Sequence, residues 1–399
     1  MGVSRTASTF APPVMAARRW LAGKSFDADI PLINVSQAAP VEPPPAPLIS
    51  AMAEMLSDSE CHLYGPVLGL DALRDEVAKQ WSLDYGGSVN AAQVAITSGC
   101  NQAFAAAIAS IAGEGDEVIL PTPFYFNHKM WLDMQGVKTV PLPVGPDMLP
   151  GITEVAALIN ARTRAIALVT PNNPCGVEYP SELLDAFFEL CAEHDIKLII
   201  DETYRDFHSS EDRPHGLFAQ DRWDQTLIQL YSFSKTYRLT GHRVGAMVTS
   251  PDQLAEAEKF LDTIAICPNQ LGQRAALWGM QNLGAWRAGE RLEILGRRAA
   301  VEEYATALRS QGWRLLGVGA YFAYFEHPFE MPSDKLAERL VSDAAILCLP
   351  GTMFVPEGDA TGAKHLRIAF ANIDRAGIAT LIDRFNALPY PRRERLPLS

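Results

Sequence analysis

The sequence predicts an α/β fold, with a large domain built on a mostly parallel sheet covered by helices and a smaller α+β domain. Short apolar runs alternate with amphipathic helical segments through the middle of the chain, which is typical of a parallel sheet with helices on both faces. From about residue 285 a long charged helical stretch leads into a smaller mixed segment. A length of 399 residues also favours two domains over one.

Six apolar runs are the expected strands of the large sheet. They are VAIT (94–97), EVIL (117–120), AIALVT (165–170), KLIID (197–201), TLIQLYSF (226–233) and VGAMV (244–248). Helical patterns lie between several of them, most clearly at 181–194, where Ser181 is the expected N-cap. Ligands of open α/β sheets bind beyond the carboxyl ends of the strands, so the residues after each run are the candidate functional residues.

The change of pattern also sets the expected domain boundaries. The large domain is expected over 49–285, and the small domain over 286–399 together with an N-terminal arm over 1–48. The arm contains PVEPPPAP at 40–47. Proline fixes φ and removes a hydrogen-bond donor, so this segment is expected to be extended.

Composition and charge exclude several classes of protein. The net charge is 34 − 47 = −13, which disfavours sequence-independent binding to nucleic acids or anionic membranes. No apolar run reaches the roughly 18–20 residues of a membrane span. The six cysteines include no CxxC pair and no histidine at ligand spacing, so we expect no metal site and a cytoplasmic protein with reduced thiols.

Polar residues follow the strands in an order that suggests one ligand. SGCNQAF (98–104) predicts a strand–helix turn whose free N–H groups cradle a phosphate. PNNPCG (171–176) predicts a rigid turn that presents an amide side chain. Asp201 in DETY ends a buried strand, where a carboxylate needs a cationic partner. Lys235 follows the next run with Arg243 eight residues on, and a lysine near other cations can act as a nucleophile.

Each of these segments alone is also compatible with a structural role, as a turn, a loop, an N-cap or a solvated lysine. Together they fit a phosphorylated, carbonyl-bearing, basic heterocycle, and pyridoxal phosphate is that ligand. A nicotinamide oxidoreductase is disfavoured, because the sequence contains neither GxGxxG nor GxxxxGK[ST].

The sequence resembles the class I/II aminotransferases, the fold-type I pyridoxal-phosphate enzymes related to aspartate aminotransferase. The matching segments are YGPVLGLDALR (64–74), SGCNQAF, PNNPCG, DETY, SFSKTYRLTGHRVG (232–245), PGTMF (350–354) and LRIAFA (366–371). The resemblance implies a seven-stranded large sheet, a homodimer, and a ping-pong Schiff-base mechanism that moves an α-amino group from an amino acid to a 2-oxo acid.

The resemblance also implies the residues of the site. Catalytic roles fall to Lys235 as the Schiff-base lysine, Asp201 as partner of the pyridinium nitrogen, and Tyr204 as a donor to the ring's phenolic oxygen. The rest of the cofactor site would be Gly99, Cys100, Asn101, Tyr125, Asn173, Ser232, Ser234, Arg243 and, from a second subunit, Tyr64. The substrate would contact Arg367, Asn173 and Ala38, with its α-carboxylate on Arg367.

Several alternatives stay open at this point. Phe124 is an alternative to Tyr125 as the aromatic residue that stacks on the cofactor ring. The same site supports a lyase or decarboxylase, because reaction choice depends on which Cα bond lies perpendicular to the ring. Some transcription regulators carry this domain as a ligand sensor, but they need a basic DNA-binding segment, and the 48 residues before the domain contain no helix-turn-helix pattern.

The sequence departs from the family in ways that bear on the substrate. Cys175 stands where relatives have threonine, and Ala38 stands where many have glycine. We find no second arginine for a side-chain carboxylate, so a dicarboxylic amino donor is not expected. Tyr321 and Phe322 are expected to line the pocket and to favour apolar or aromatic side chains, with core packing as the alternative.

Overall fold

The computed structural model describes residues 4–393. Its strands are β1 (Ile33–Asn34), β2 (Val94–Thr97), β3 (Glu117–Thr122), β4 (Lys138–Pro143), β5 (Thr163–Val169), β6 (Lys197–Asp201), β7 (Leu227–Ser232), β8 (Gly245–Val248), β9 (Arg314–Gly319), β10 (Phe322–Glu326), β11 (Ile346–Leu347), β12 (Leu349–Pro350) and β13 (His365–Ile368). Its α-helices are α1 (Pro13–Arg19), α2 (Ala46–Met55), α3 (Asp71–Tyr85), α4 (Cys100–Ile111), α5 (Phe126–Gln135), α6 (Ile152–Ala156), α7 (Ser181–Glu193), α8 (Trp223–Thr226), α9 (Phe233–Thr236), α10 (Pro251–Ala265), α11 (Gln270–Asn282), α12 (Gly284–Arg309), α13 (Ser333–Ala344) and α14 (Arg375–Asn386).

The large sheet has seven strands in the order β2-β8-β7-β6-β5-β3-β4. Strand β8 runs antiparallel to both of its neighbours, and the other pairs are parallel. All six predicted runs are strands whose ends lie within two residues of expectation. The predicted α/β fold with a mostly parallel sheet is therefore confirmed.

Strand β4 is the one large-sheet strand that the apolar runs did not predict. Its sequence, KTVPLP, contains Pro141 and Pro143, which cannot donate to a ladder of hydrogen bonds. The strand lies at the edge of the sheet and pairs with β3 alone. Proline is tolerated at such an edge because one side of the strand needs no partner.

Helices cover both faces of this sheet, since alternate residues of each strand are buried on opposite sides. In β6, Leu198 and Ile200 join one hydrophobic cluster and Ile199 joins the other. The predicted helix at 181–194 is α7, but it begins at Ser181 itself, and Pro180 holds the N-cap position without a side-chain hydrogen bond. The expected N-cap role of Ser181 is therefore wrong.

The smaller sheet is antiparallel, in the order β12-β13-β10-β9. Helix α12 packs on it, and α14 shares its hydrophobic cluster. The N-terminal segment joins this part of the molecule, because β1 pairs in parallel with β11 and Ile33 and Val35 enter its hydrophobic cluster. The segment is not extended throughout, since it contains α1, and α2 begins inside the proline-rich stretch. The boundary between a large and a small domain near residue 285 stays a prediction. Residues 1–3 and 394–399 of the two proposed domain ends lie outside the described residues.

Candidate active site

One cavity of about 420 Å³ lies beyond the carboxyl ends of β5, β6 and β7, at the start of α4. The sequence-predicted site residues that line it are Ala38, Cys100, Asn101, Tyr125, Asn173, Asp201, Tyr204, Ser232, Ser234, Lys235, Arg243 and Arg367. These residues come from seven separate segments of the chain. The order of strands in the large sheet brings most of them together, as expected for ligand sites of α/β folds, while Ala38 comes from the N-terminal segment and Arg367 from β13 of the smaller sheet.

Lys235 lies in α9, the single helical turn that follows β7. Its Nζ donates a hydrogen bond of 2.6 Å to the carbonyl oxygen of Ala38. Burial, and then the positive charges of Arg243 and Arg367, lower the pKa of Lys235 to about 8. A substantial fraction of this amine is therefore neutral near physiological pH, which a nitrogen nucleophile requires.

Asp201 is the last residue of β6 and is buried. Its Oδ2 lies 3.3 Å from Nε2 of His128, and its Oδ1 accepts a hydrogen bond of 3.0 Å from the backbone N–H of Thr203. Burial acts to raise the pKa of Asp201, but His128 and Thr203 outweigh it and the pKa is lowered. The carboxylate is therefore ionised and able to face a protonated ring nitrogen.

His128 is a site residue that the sequence analysis missed. It lies in α5, is buried, and stacks on Phe104 with ring centroids 3.8 Å apart. It belongs to no strand end, and no spacing in the sequence relates it to Asp201. Only the packing of α5 on α4 brings its ring to that carboxylate.

The turn between β2 and α4 has the features of a phosphate cradle. Gly99 holds the N-cap position of α4 with φ +90°, and a Cβ there would lie 2.2 Å from Nη2 of Arg243. Glycine is therefore required both by the backbone angle and by the close approach of the guanidinium. The first N–H groups of α4 and the Arg243 guanidinium together form a site suited to an anion.

Tyr125 and Phe124 occupy different environments, which bears on the open alternative between them. Tyr125 lines the cavity, and its hydroxyl donates to Oδ1 of Asn101 at 3.4 Å and accepts from Nδ2 of Asn127 at 3.0 Å. Phe124 is buried in a hydrophobic cluster on one face of the large sheet. This placement favours Tyr125 as the ring-stacking residue.

Arg367 lies in β13 and is buried. Its Nη1 donates to Oδ1 of Asn173 at 3.1 Å, its Nη2 donates to the carbonyl oxygen of Ser36, and its guanidinium lies between the rings of Phe322 and Phe354. Burial lowers the pKa of Arg367 to about 10, so it stays protonated at pH 7. Its buried Nε has no hydrogen-bond partner among the described residues, which suits the capture of a carboxylate.

One expectation about the pocket is wrong, and one arginine of its lining was not anticipated. Tyr321 and Phe322 do not line the cavity but are buried against the ring of Tyr204, at centroid distances of 5.4 and 5.2 Å. The cavity also has an arginine that the sequence analysis did not assign, because α1 places Arg18 on its wall. Arg18 follows no predicted strand, and no motif in the sequence relates it to the cavity.

Two predicted cofactor residues stand apart from the cavity lining. Gly99 directly precedes the lining residues Cys100 and Asn101. Tyr64 is 79% exposed and lies beside Cys267, on a separate surface depression.

Within residues 4–393 no group of three His, Cys, Asp or Glu side chains is arranged to hold a metal ion, and no helix there has the length and apolarity needed to span a membrane.

Comparison with known proteins agrees with the resemblance. The sequence profile described as aminotransferase class I and II matches residues 30–385. The chain is 31% identical over 336 residues to the arginine–pyruvate transaminase of Pseudomonas aeruginosa, covering 81% of both chains. It is 26% identical to an aspartate aminotransferase of Thermotoga maritima over 343 residues, 85% of this chain and 87% of the relative.

A solved structure of an aminotransferase from Mycobacterium tuberculosis superposes with a TM-score of 0.86 at 26% identity, covering 97% of this chain and 98% of the other. The chain belongs to the class I and II aminotransferases. It is an aminotransferase. Nothing in these comparisons favours the lyase or decarboxylase chemistry that the site alone would also support.

Proposed function

We propose that this aminotransferase holds pyridoxal phosphate in the 420 Å³ cavity and moves an α-amino group from an amino acid to a 2-oxo acid in two half-reactions. One observation carries the proposal. A lysine with a pKa near 8 shares this cavity with a buried, ionised aspartate and with the guanidinium groups of Arg243 and Arg367. This chemistry requires a nucleophilic amine, a carboxylate that faces a ring nitrogen, and cationic groups for two anions.

The residues present fit each part of the cofactor. The start of α4, with Gly99, Cys100 and Asn101, and the Arg243 guanidinium suit the phosphate, with Ser232 and Ser234 beside them. Asp201 suits the ring nitrogen, and Tyr125 suits a face of the ring. Asn173 and Tyr204 suit the phenolic oxygen, since each carries a hydrogen-bond donor and lines the cavity.

Lys235 acts in this proposal as both anchor and proton carrier. When bound, pyridoxal phosphate supplies an aldehyde carbon that bonds to amines and a ring that accepts an electron pair. The Lys235 amine would hold that aldehyde carbon in the resting enzyme and, once freed by substrate, would carry the proton that leaves the substrate Cα. A pKa near 8 suits this role, because the amine both gains and loses a proton near neutral pH.

Asp201 and Arg367 orient the reacting groups. Asp201 keeps the ring nitrogen protonated, since the pKa of its carboxyl is lowered and His128 holds the carboxylate in place. Arg367 binds the substrate α-carboxylate through the nitrogen that lacks a partner, and so fixes the Cα–H bond relative to the lysine. Ala38 limits the space beside the substrate, and its carbonyl holds the Lys235 amine before substrate arrives.

A homodimer completes the site in this proposal. Leu63 and Tyr64 line one surface depression and are 56% and 79% exposed. Ile264 and Ile266, which are 60% and 44% exposed, flank the lining residue Ala265 in the chain. An exposed apolar group of this kind fits a subunit interface. Tyr64 would then reach the cofactor phosphate of the second subunit.

All six cysteines are unpaired, which fits the proposed cytoplasmic location.

Incubation of the purified protein with pyridoxal phosphate, single amino acids and single 2-oxo acids tests the function. We expect amino-group exchange that requires both substrates, with no exchange by the Lys235→Ala variant. Chromatography of the amino acid and 2-oxo acid products measures it. Release of ammonia and an oxo acid from one amino acid, without any acceptor, would instead favour a lyase and contradict the proposal.

A further inference from the structure

A cluster of hydrogen-bonded side chains lies next to the Lys235 turn but outside the cofactor cavity. Oδ2 of Asp206 accepts hydrogen bonds from the hydroxyl of Thr236 at 2.5 Å and from the hydroxyl of Tyr231 at 2.6 Å. The two hydroxyl oxygens lie 3.2 Å apart. None of these three residues lines the cavity, so the chemistry described above gives them no role.

The cluster joins two turns that carry groups of the site. Thr236 directly follows Lys235 and is the last residue of α9. Asp206 lies in the 3₁₀ turn 205–207, and Tyr204 holds the N-cap position of that turn. One carboxylate therefore bonds the turn of the reacting lysine to the turn of the tyrosine assigned to the phenolic oxygen.

The cluster is shielded from water, which makes its hydrogen bonds hard to replace. Tyr231 and Thr236 are buried, and the side chain of Asp206 is only 6% exposed. A hydroxyl that donates to a carboxylate in such surroundings is held more firmly than one that exchanges with solvent. An ion pair with Arg287 does not account for the arrangement, because Nη1 of Arg287 lies 3.6 Å from Oδ1 whereas both hydroxyls converge on Oδ2.

The Lys235 turn is held on both sides of the lysine. Before it, the backbone N–H of Ser234 donates to Oγ of Ser232 at 3.3 Å. After it, the Thr236 hydroxyl donates to Asp206. A reacting amine must lie at the right distance and angle, so a small displacement of this turn would slow the reaction without changing any charge in the cavity.

We propose that Asp206 is a positioning residue for amino-group transfer, which acts through the Thr236 hydroxyl to hold the Lys235 turn in place for reaction. The inference rests on the proposed function, because it takes Lys235 as the reacting amine. Since neither Asp206 nor Thr236 lines the cavity, their loss should change rates rather than the affinity for substrate.

The reaction of cofactor-free protein with pyridoxal tests this without turnover, with Lys235→Ala as the blank for other lysines. Thr236→Val keeps the shape of the side chain and removes its hydroxyl. We expect the rate on the high-pH plateau to fall at least about tenfold, with the midpoint near 8 unmoved, and Thr236→Ser to restore most of the rate. In the control Thr249→Val, the lost hydroxyl is equally buried and donates to the carbonyl oxygen of Leu227 at 2.9 Å, at the opposite end of β7, so the rate should not change.

Variants of the carboxylate and steady-state turnover give the second arm. Asp206→Asn keeps an acceptor for the hydroxyls and should react faster than Asp206→Ala. In the cofactor-loaded Thr236→Val enzyme, kcat should fall about tenfold while KM changes less than about twofold.

The outcomes separate this inference from the proposed function. A Thr236→Val plateau equal to that of a reactive wild type, or equal losses in Thr236→Val and Thr249→Val, would overturn the positioning role alone. A midpoint that moves in Thr236→Val would also overturn it, because the effect would then be on charge. A wild type that reacts no faster than Lys235→Ala would overturn the proposed function, and this inference with it.

Discussion

Replacement of His128 by phenylalanine tests how the site keeps a buried carboxylate charged. The His128→Phe change preserves an aromatic ring for the stack on Phe104 but removes the nitrogen that lies 3.3 Å from Asp201. Asp201 then keeps the backbone N–H of Thr203 as its described donor. Removing one partner of a buried charge usually costs about 2–4 kcal/mol of unfolding free energy, and we expect a loss in that range at pH 7.

The pH dependence of this loss shows whether His128 stabilises the protein through the charge of Asp201 or only through packing on Phe104. The pKa of Asp201 is lowered in the folded protein, so its pairing contributes stability above the ordinary carboxyl range, and that contribution disappears as pH falls through the lowered pKa. We therefore expect the gap between wild type and His128→Phe to be full at pH 7 and to narrow below about pH 4.

Urea unfolding of the cofactor-free protein, followed by circular dichroism at several pH values, measures the gap. The Asp201→Asn background provides the control, because the asparagine side chain carries no charge to stabilise, and there His128→Phe should cost less. If His128→Phe costs the same at low and neutral pH, and the same in the Asp201→Asn background, then His128 serves only to pack against Phe104 and the reasoning is refuted.

Three further predictions concern the phosphate cradle, the lysine and the subunit interface. Gly99→Ala should weaken cofactor binding at least about tenfold, because it combines a strained φ with a clash against Arg243. Equilibrium dialysis measures the affinity for the cofactor. The control variant Gly241→Ala, in which the added Cβ meets open space, should bind the cofactor normally. The rate at which cofactor-free protein reacts with pyridoxal should rise with pH around a midpoint near 8. Arg243→Gln should move that midpoint upward, because loss of a neighbouring positive charge raises the pKa of Lys235. An unmoved midpoint would contradict the contribution of Arg243 to the lowered pKa of Lys235. If the proposed dimer forms through this surface, Ile264→Asp should convert it to monomers in sedimentation experiments, whereas Leu292→Asp, at a position 62% exposed on α12, should not. A dimer that survives Ile264→Asp would place the interface elsewhere.

The strands and their ends were predictable because the information for them is local. Apolar runs mark β2, β3 and β5–β8, and the polar residues that follow them reach the cavity because parallel strands share one edge. Lys235 and Asp201 each stand next to such a run, so a pattern of a few residues is enough to single them out. Strand β4 was missed because its prolines mask the pattern, and an edge position tolerates them.

The unpredicted parts of the site depend on packing between distant segments. His128 and Arg18 lie on helices, and which face of α5 or α1 turns toward the cavity is decided by the surfaces on which each helix packs. Tyr321 and Phe322 were expected in the pocket but lie in the core against Tyr204. Aromatic residues near the start of a strand have the same local sequence pattern whether they face a pocket or a core. Local sequence carries no signal that separates these cases.

The central claim is that the Lys235 amine bonds to the aldehyde of pyridoxal phosphate. Borohydride reduction of the cofactor-loaded protein, followed by peptide mass spectrometry, tests it directly, because reduction makes an imine link permanent. We expect the added cofactor mass on the peptide that contains Lys235 and on no other lysine. Attachment to a different lysine, or no added mass on a protein that transfers amino groups, would contradict the account.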